Sequence, residues 1–82
     1  MTIGEEIIRI LKQDILQDDD FEVELDTDLL TSGALDSMAL IRLVAAIETQ
    51  YEIKIPPTDL VIENFINIQS IENYLSNTLA SK

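Results

Sequence analysis

Few side chains in this sequence can take part in covalent or proton-transfer chemistry. It holds no cysteine and no histidine, which removes disulfides, thiolate nucleophiles, imidazole bases and the usual zinc ligands. Hydroxyls and carboxylates remain, and one pair stands out: Asp36-Ser37, just after Gly33-Ala-Leu35 and just before a long apolar run. Asp36 suits an N-cap, because its carboxylate can accept from the free amides of a first helical turn. Ser37 then falls at the first helical position, its hydroxyl at the positive end of the helix, where a phosphate is favoured. No histidine or lysine adjoins it, so Ser37 is not expected to be a nucleophile in its own right. Most Asp-Ser pairs at a helix start only cap it, so the meaning of this one depends on the elements around it.

The element that positions the pair is a helix over residues 37–51. Gly33 permits the bend ahead of it. At about 100° per residue, Leu40, Leu43, Val44, Ile47 and Tyr51 share one side, wide enough to be a core stripe. Met38, Ile41 and Ala45 fall nearly opposite, on the face that begins at Ser37, with Arg42 beside them. A short chain buries few elements on both sides. This second stripe is therefore expected to be exposed as a docking surface, the competing reading being a helix buried all round.

The remaining elements follow in order. Residues 3–17 read as a first helix with Ile3, Ile7, Ile10, Leu11 and Ile15 inward. Thr2 and Glu5 have capping-box spacing, and Glu5 to Arg9 is a favourable i,i+4 pair. Residues 18–36 form a long acidic connection in which Phe21, Val23 and Leu25 pin an irregular loop. Leu29 and Leu30 form a further anchor in a turn begun by Asp26 or Asp28. An EF-hand loop needs glycine at its sixth position and glutamate at its twelfth; counted from Asp18 these are Val23 and Leu29, so no metal site is expected. Pro56-Pro57 forces extended backbone before it. Thr58 or Asp59 then caps a short helix of roughly Asp59 to Glu63, with Leu60 and Val61 or Ile62 facing in. Asn67 caps a last helix from Ile68 to about Leu79, with Ile68, Ile71, Leu75 and Leu79 inward, Tyr74 at the edge and a frayed tail. The fold expected is all-α: three longer helices, one short third helix and no sheet, in a single domain over residues 1–82.

Gly33-x-Leu35-Asp36-Ser37-Met38, opening an apolar helix that ends in Ala-Ile-Glu48, resembles the acyl and peptidyl carrier proteins, and the likeness extends over nearly the whole chain. The resemblance implies the acyl-carrier four-helix bundle. It implies that Ser37 bears 4′-phosphopantetheine, taken from coenzyme A by a phosphopantetheinyl transferase. The arm's thiol would hold an aminoacyl or acyl group as a thioester. Asp36 would add support for the transferase's metal ion to its capping role. Met38, Ile41, Arg42 and Ala45 would meet partner enzymes: the transferase, a loading enzyme (adenylating ligase or acyltransferase), and a downstream transferase or synthase. The chain departs from fatty-acid carriers, which place acids where Ala39 and Arg42 stand here; only Glu48 remains. The Leu-Asp-Ser setting leans toward aminoacyl, D-alanyl or specialised-metabolism carriers. The alternative is an interaction module of the same fold that works without the prosthetic group.

Composition fits a carrier rather than an enzyme. The net charge is −11, from five basic and sixteen acidic residues, which repels nucleic acid and anionic membranes and attracts a basic protein partner. No apolar run approaches the ~20 residues of a membrane span, and no secretory signal is evident. The expectation is a cytoplasmic monomer.

Overall fold

Helix α1 starts where Thr2 and Glu5 place it. Thr2 Oγ1 accepts from the Glu5 amide at 3.1 Å and Glu5 Oε1 accepts from the Thr2 amide at 2.9 Å, a complete capping box. This is a computed structural model that describes residues 2–18, 20 and 22–80. Phe21, expected to pin the long loop, and the tail residues Ser81 and Lys82 lie outside the described residues. α1 spans Ile3–Ile10 and runs on into a π-helical segment, Leu11–Ile15. The helix stops short of residue 17 because Gln17 turns left-handed (φ 52°), and the Asp18 amide closes the end on the Lys12 carbonyl at 2.9 Å. The Glu5–Arg9 pair does not form. Glu5 is committed to the cap, and Arg9 Nε donates to Glu6 Oε1 at 3.1 Å instead.

The acidic connection is irregular and contains no strand among the described residues. Helix α2 then spans Ser37–Tyr51 and ends at Glu52 in the left-handed region. Beyond it Ile53 and Ile55 turn inward while Lys54 is exposed. The Glu48 carboxylate reaches back to accept from the Ile55 amide at 2.8 Å, which holds this extended segment against the end of α2.

The short helix is displaced from its expected place. Pro57–Asp59 forms a 3₁₀ turn, Leu60 and Val61 are non-helical, and α3 spans Ile62–Phe65. Asp59 does not cap it: Val61 stands at the cap position with no side-chain bond, while the Asp59 carboxylate accepts from Tyr74 Oη at 2.6 Å and its carbonyl from Asn64 Nδ2 at 2.9 Å. Phe65 supplies the buried side chain, so Leu60, Val61 and Ile62 point outward rather than in. Helix α4 spans Ile68–Ala80, with Asn67 Oδ1 accepting from the Ser70 amide at 2.7 Å as its cap.

The result is a four-helix bundle with three longer helices and a short one before the last. α1 packs on both α4 and α2, and α3 packs on α4. Ile7, Ile10, Leu43, Ile47, Ile71 and Leu75 form the centre of the core. Gly4 lies close to α4: its amide donates to Glu72 Oε2 at 2.8 Å, and a Cβ there would sit 3.2 Å from that oxygen, a tight contact that the glutamate would have to relieve by a small shift. No helix among the described residues is long and apolar enough to cross a membrane.

Candidate functional site

The approach to Ser37 is built from two buried leucines and a turn. Asp28 Oδ1 accepts from the Leu30 and Thr31 amides at 3.0 and 2.9 Å, and the Thr31 hydroxyl donates to its other oxygen. These bonds hold the Asp28 carboxyl below its ordinary value of 3.8, the Thr31 hydroxyl being the largest cause. Asp28, not Asp26, therefore starts the anchor turn. Leu29 is fully buried, and its amide donates to the Ile66 carbonyl at 2.7 Å. Gly33 bends the chain at φ 84°, a region that a side chain resists. Leu35 then returns to the core, its amide donating to the Leu29 carbonyl at 2.8 Å.

With Leu35 plugged into the core, the next two residues must face out. Asp36 takes an extended backbone and its Oδ1 accepts from the Ala39 amide at 2.8 Å. The Asp36 carbonyl accepts from Leu40 at 2.9 Å. The Ser37 and Met38 amides have no acceptor among the described residues, and the exposed Ser37 hydroxyl makes no hydrogen bond among them. Two free donors and a free hydroxyl at the positive end of a four-turn helix suit a phosphodiester.

The two faces of α2 separate as the periodicity predicts. Leu43, Val44 and Ile47 are buried, and Leu40 and Tyr51 are half-buried. Met38 is 66% and Ile41 59% exposed, with Ala45 and Arg42 also exposed. Arg42 forms no ion pair among the described residues. Glu48, the one acid left on this helix's outer side, is turned to the Ile55 amide. A surface depression of about 470 Å³ lined by Ala45, Glu48, Thr49, Glu52, Ile53 and Lys54 lies at the far end of α2. Thr49 is roughly 18 Å along the helix from Ser37, so this hollow is not part of the serine site. Among the described residues, no group of three or more acids gathers as metal ligands.

Residues 5–75 match the family described as the phosphopantetheine attachment site. The chain belongs to that family of carrier proteins. Its established role class is thus a non-catalytic carrier with a site for a coenzyme A-derived phosphopantetheine group. The carrier is 25% identical over 77 residues to the acyl carrier protein of Campylobacter lari, covering 94% of this chain and 96% of that one. It is 38% identical over 47 residues to the D-alanyl carrier proteins of Lactococcus lactis subsp. cremoris strains MG1363 and SK11, covering 57% of this chain and 60% of theirs. Among solved structures, a chain from one titled "Crystal structure of FAD-dependent dehydrogenase" superposes with a TM-score of 0.74 at 29% identity, covering 84% of this chain and 97% of that one.

Three features of the carrier were not signalled by sequence alone. Leu35 as a core plug is hidden inside the motif, although an apolar residue just before an exposed cap is a usable sign. The inward turn of Glu48 has no sequence signal, since it depends on how the chain leaves α2. The outward direction of Leu60, Val61 and Ile62 is hidden because a short apolar run reads equally as core.

Proposed function

We propose that this single-domain carrier, residues 1–82, bears 4′-phosphopantetheine on Ser37 and works as a cytoplasmic monomer. The observation that carries the reading is an exposed, unbonded serine hydroxyl at an Asp36-capped helix start inside a phosphopantetheine-attachment family match. When bound, the group supplies a thiol that holds an aminoacyl or acyl cargo as a thioester. The chain's own residues do the rest. Ser37 and Met38 amides favour the phosphodiester charge, Asp36 fixes the start of α2 and supports the transferase's metal ion, and Met38, Ile41 and Ala45 offer apolar contact to partners. Arg42 replaces negative charge with positive on that face, which disfavours enzymes that grip carriers through arginine and lysine. That charge pattern, with the D-alanyl relatives, favours aminoacyl or specialised acyl cargo loaded by an adenylating ligase or acyltransferase and used by a downstream transferase or synthase.

A second partner class has support of its own. The solved neighbour's chain is no longer than this carrier, judged from the coverage, and so is too short to hold a flavin-binding enzyme domain. A carrier-sized chain in a structure titled for an FAD-dependent dehydrogenase favours such an enzyme, acting on the thioester-bound cargo, among the downstream partners.

The test is incubation with coenzyme A and a broad-specificity phosphopantetheinyl transferase, followed by intact-mass spectrometry. One phosphopantetheine is expected on the parent and none on Ser37→Ala, whose helical circular dichroism should match the parent because Asp36 still caps. Modification of the alanine variant would place the arm elsewhere. No modification of the parent would favour the module that acts without a prosthetic group.

A further inference from the structure

The hollow at the far end of α2 is built into the way that helix stops. Glu52 turns left-handed, the Ile53 amide donates to the Glu48 carbonyl at 3.1 Å, and the Ile55 amide donates to Glu48 Oε2 at 2.8 Å. These bonds fold the buried Ile53 against the helix end, where it supplies the apolar part of the depression of about 470 Å³. That volume lies within the range of small-ligand sites. Glu48, Glu52 and Lys54 all line it, so two carboxylates against one ammonium leave it net negative. Glu48 Oε1 makes no hydrogen bond among the described residues.

One helix face joins this hollow to Ser37. At about 100° per residue, Ser37, Glu48, Ile41, Ala45, Met38 and Thr49 fall within about 120° of the helix circumference. Met38, Ile41 and Ala45 are exposed along it, and Ala45 is both the last of that stripe and a wall of the hollow. The track from the serine to the hollow therefore never crosses the buried side of α2.

Length decides what lies on such a track. Thr49 is roughly 18 Å from Ser37 along the axis. From the serine oxygen to the amine of an aminoacyl thioester, the arm and its cargo count about 17 bonds, roughly 19 Å at the advance of an extended polypeptide. The arm's dimethyl carbon, about four bonds out, falls ~5 Å along, beside Ile41 at ~6 Å. An arm laid flat on α2 thus sets its apolar groups on the exposed stripe and brings the amine to the carboxylates. The charge of the hollow suits an ammonium, which donates to carboxylate in a charge-assisted bond. It gives an acyl group without an amine nothing to bind. A second copy of the chain is a poor occupant, since each copy carries −11.

We propose, on the reading that Ser37 bears phosphopantetheine, that the hollow is a resting subsite for an aminoacyl thioester. Its ammonium meets Glu48 while the arm lies along Ile41 and Ala45. The arm then covers the apolar stripe between encounters, and a partner that docks on α2 displaces it and frees the thioester.

The test uses alanyl- and propionyl-coenzyme A analogues in which an amide NH replaces the thioester sulfur. A broad-specificity phosphopantetheinyl transferase attaches each arm to the full chain, and ¹H–¹⁵N spectra are compared with those of the chain carrying the thiol arm. The alanyl arm is expected to shift the amides of Ala45, Thr49 and Ile53, and the propionyl arm to leave them as the thiol arm does. The amine of ¹³C-labelled alanyl is expected to titrate about 0.5 pH units above that of free alanyl-pantetheine, because an opposite charge favours its protonated form. Glu48→Gln keeps an oxygen for the Ile55 amide and is expected to lose both effects, as is Ala45→Lys, which blocks the track at an exposed site. Gln50→Ala, exposed on another side of α2, is expected to match the parent. Alanyl shifts confined to residues 35–41, equal shifts from the propionyl arm, or an amine that titrates as in free alanyl-pantetheine would each overturn the subsite. If mass spectrometry finds the arm on Ser37→Ala, the attachment reading fails. If the arm is on Ser37 alone and the hollow's signals stay still, only the subsite is lost.

Discussion

Leu43 and Ile41 lie two residues apart on α2 and should respond to substitution in opposite ways. Leu43 is 0% exposed and Ile41 59%. Leu43→Ala removes three buried carbon groups at ~0.8 kcal/mol each, and the cavity left in the core adds to this, for a cost of about 3–4 kcal/mol. A chain of 82 residues holds on the order of 4–12 kcal/mol in all. With a urea slope near ~1 kcal/mol/M for so small a domain, the midpoint should fall by about 3 M. Ile41→Asp removes apolar area that is already mostly in water, and a surface change of this kind costs about 0.5 kcal/mol, so its midpoint should move by under ~1 M. If the exposed face of α2 is the docking surface proposed above, partner-dependent loading of the thiol should show the reverse order, since Ile41→Asp puts a charge in the middle of that face. The assay is urea unfolding by far-ultraviolet circular dichroism beside thioester-loading rates on the same samples. If Ile41→Asp unfolds as readily as Leu43→Ala, α2 is buried on both sides and the docking face is lost, although Ser37 keeps its place.

Two further outcomes are expected. Arg42→Glu should leave the urea midpoint nearly unchanged and shift preference among loading enzymes through association rate, an effect that added salt should erase; a salt-independent change would point to contact packing instead. The Glu5 carboxyl sits below its ordinary value of 4.5 through hydrogen bonds from Thr2, and Asp28 below 3.8 through Thr31. A depressed folded-state pKa stabilises above the unfolded value and is lost as pH falls through the folded one. Stability should therefore decline below about pH 4.5, and Glu5→Gln with Asp28→Asn should flatten that decline; an unchanged acid slope would count against both turns.

The readability of the sequence followed how local each decision is. α2 could be read from sequence, because its 15 residues carry both stripes and its cap directly precedes them, so cap chemistry and periodicity decide it locally. The Thr2–Glu5 box and the Asn67 cap were legible for the same reason. α3 was not. Thr58 and Asp59 both have the chemistry of caps, and Leu-Val-Ile carries no period, so the outcome turned on Tyr74, 15 residues away, taking the Asp59 carboxylate. Glu48 looked like a surface acid because nothing in the sequence says that Glu52 will turn left-handed and bring the Ile55 amide within reach. The π segment and the left-handed Gln17 were invisible for a related reason: each settles how α1 ends against the packed bundle, and propensity is silent there. At the site itself, the serine, its cap and the exposed face were readable, whereas the Leu29–Ile66 bond that steadies the approach joins segments far apart in the chain.

The bond between Gly4 and Glu72 spans 68 residues, and this has a consequence for how the protein is made. α1 leaves the ribosome well before α4, one of the two helices it packs on. At about 5–20 residues per second, roughly 3 to 14 s separate the two. Throughout that interval Ile7, Ile10 and Leu11 lack the cover that α4 gives them, and a helix this short is marginal in water by itself. The acids of residues 18–28 emerge directly behind it, and their mutual repulsion keeps the waiting segment in solution. A chain released before α4 leaves its first helix with only α2 to pack on, so a copy reaches the full bundle only once α4 has been made.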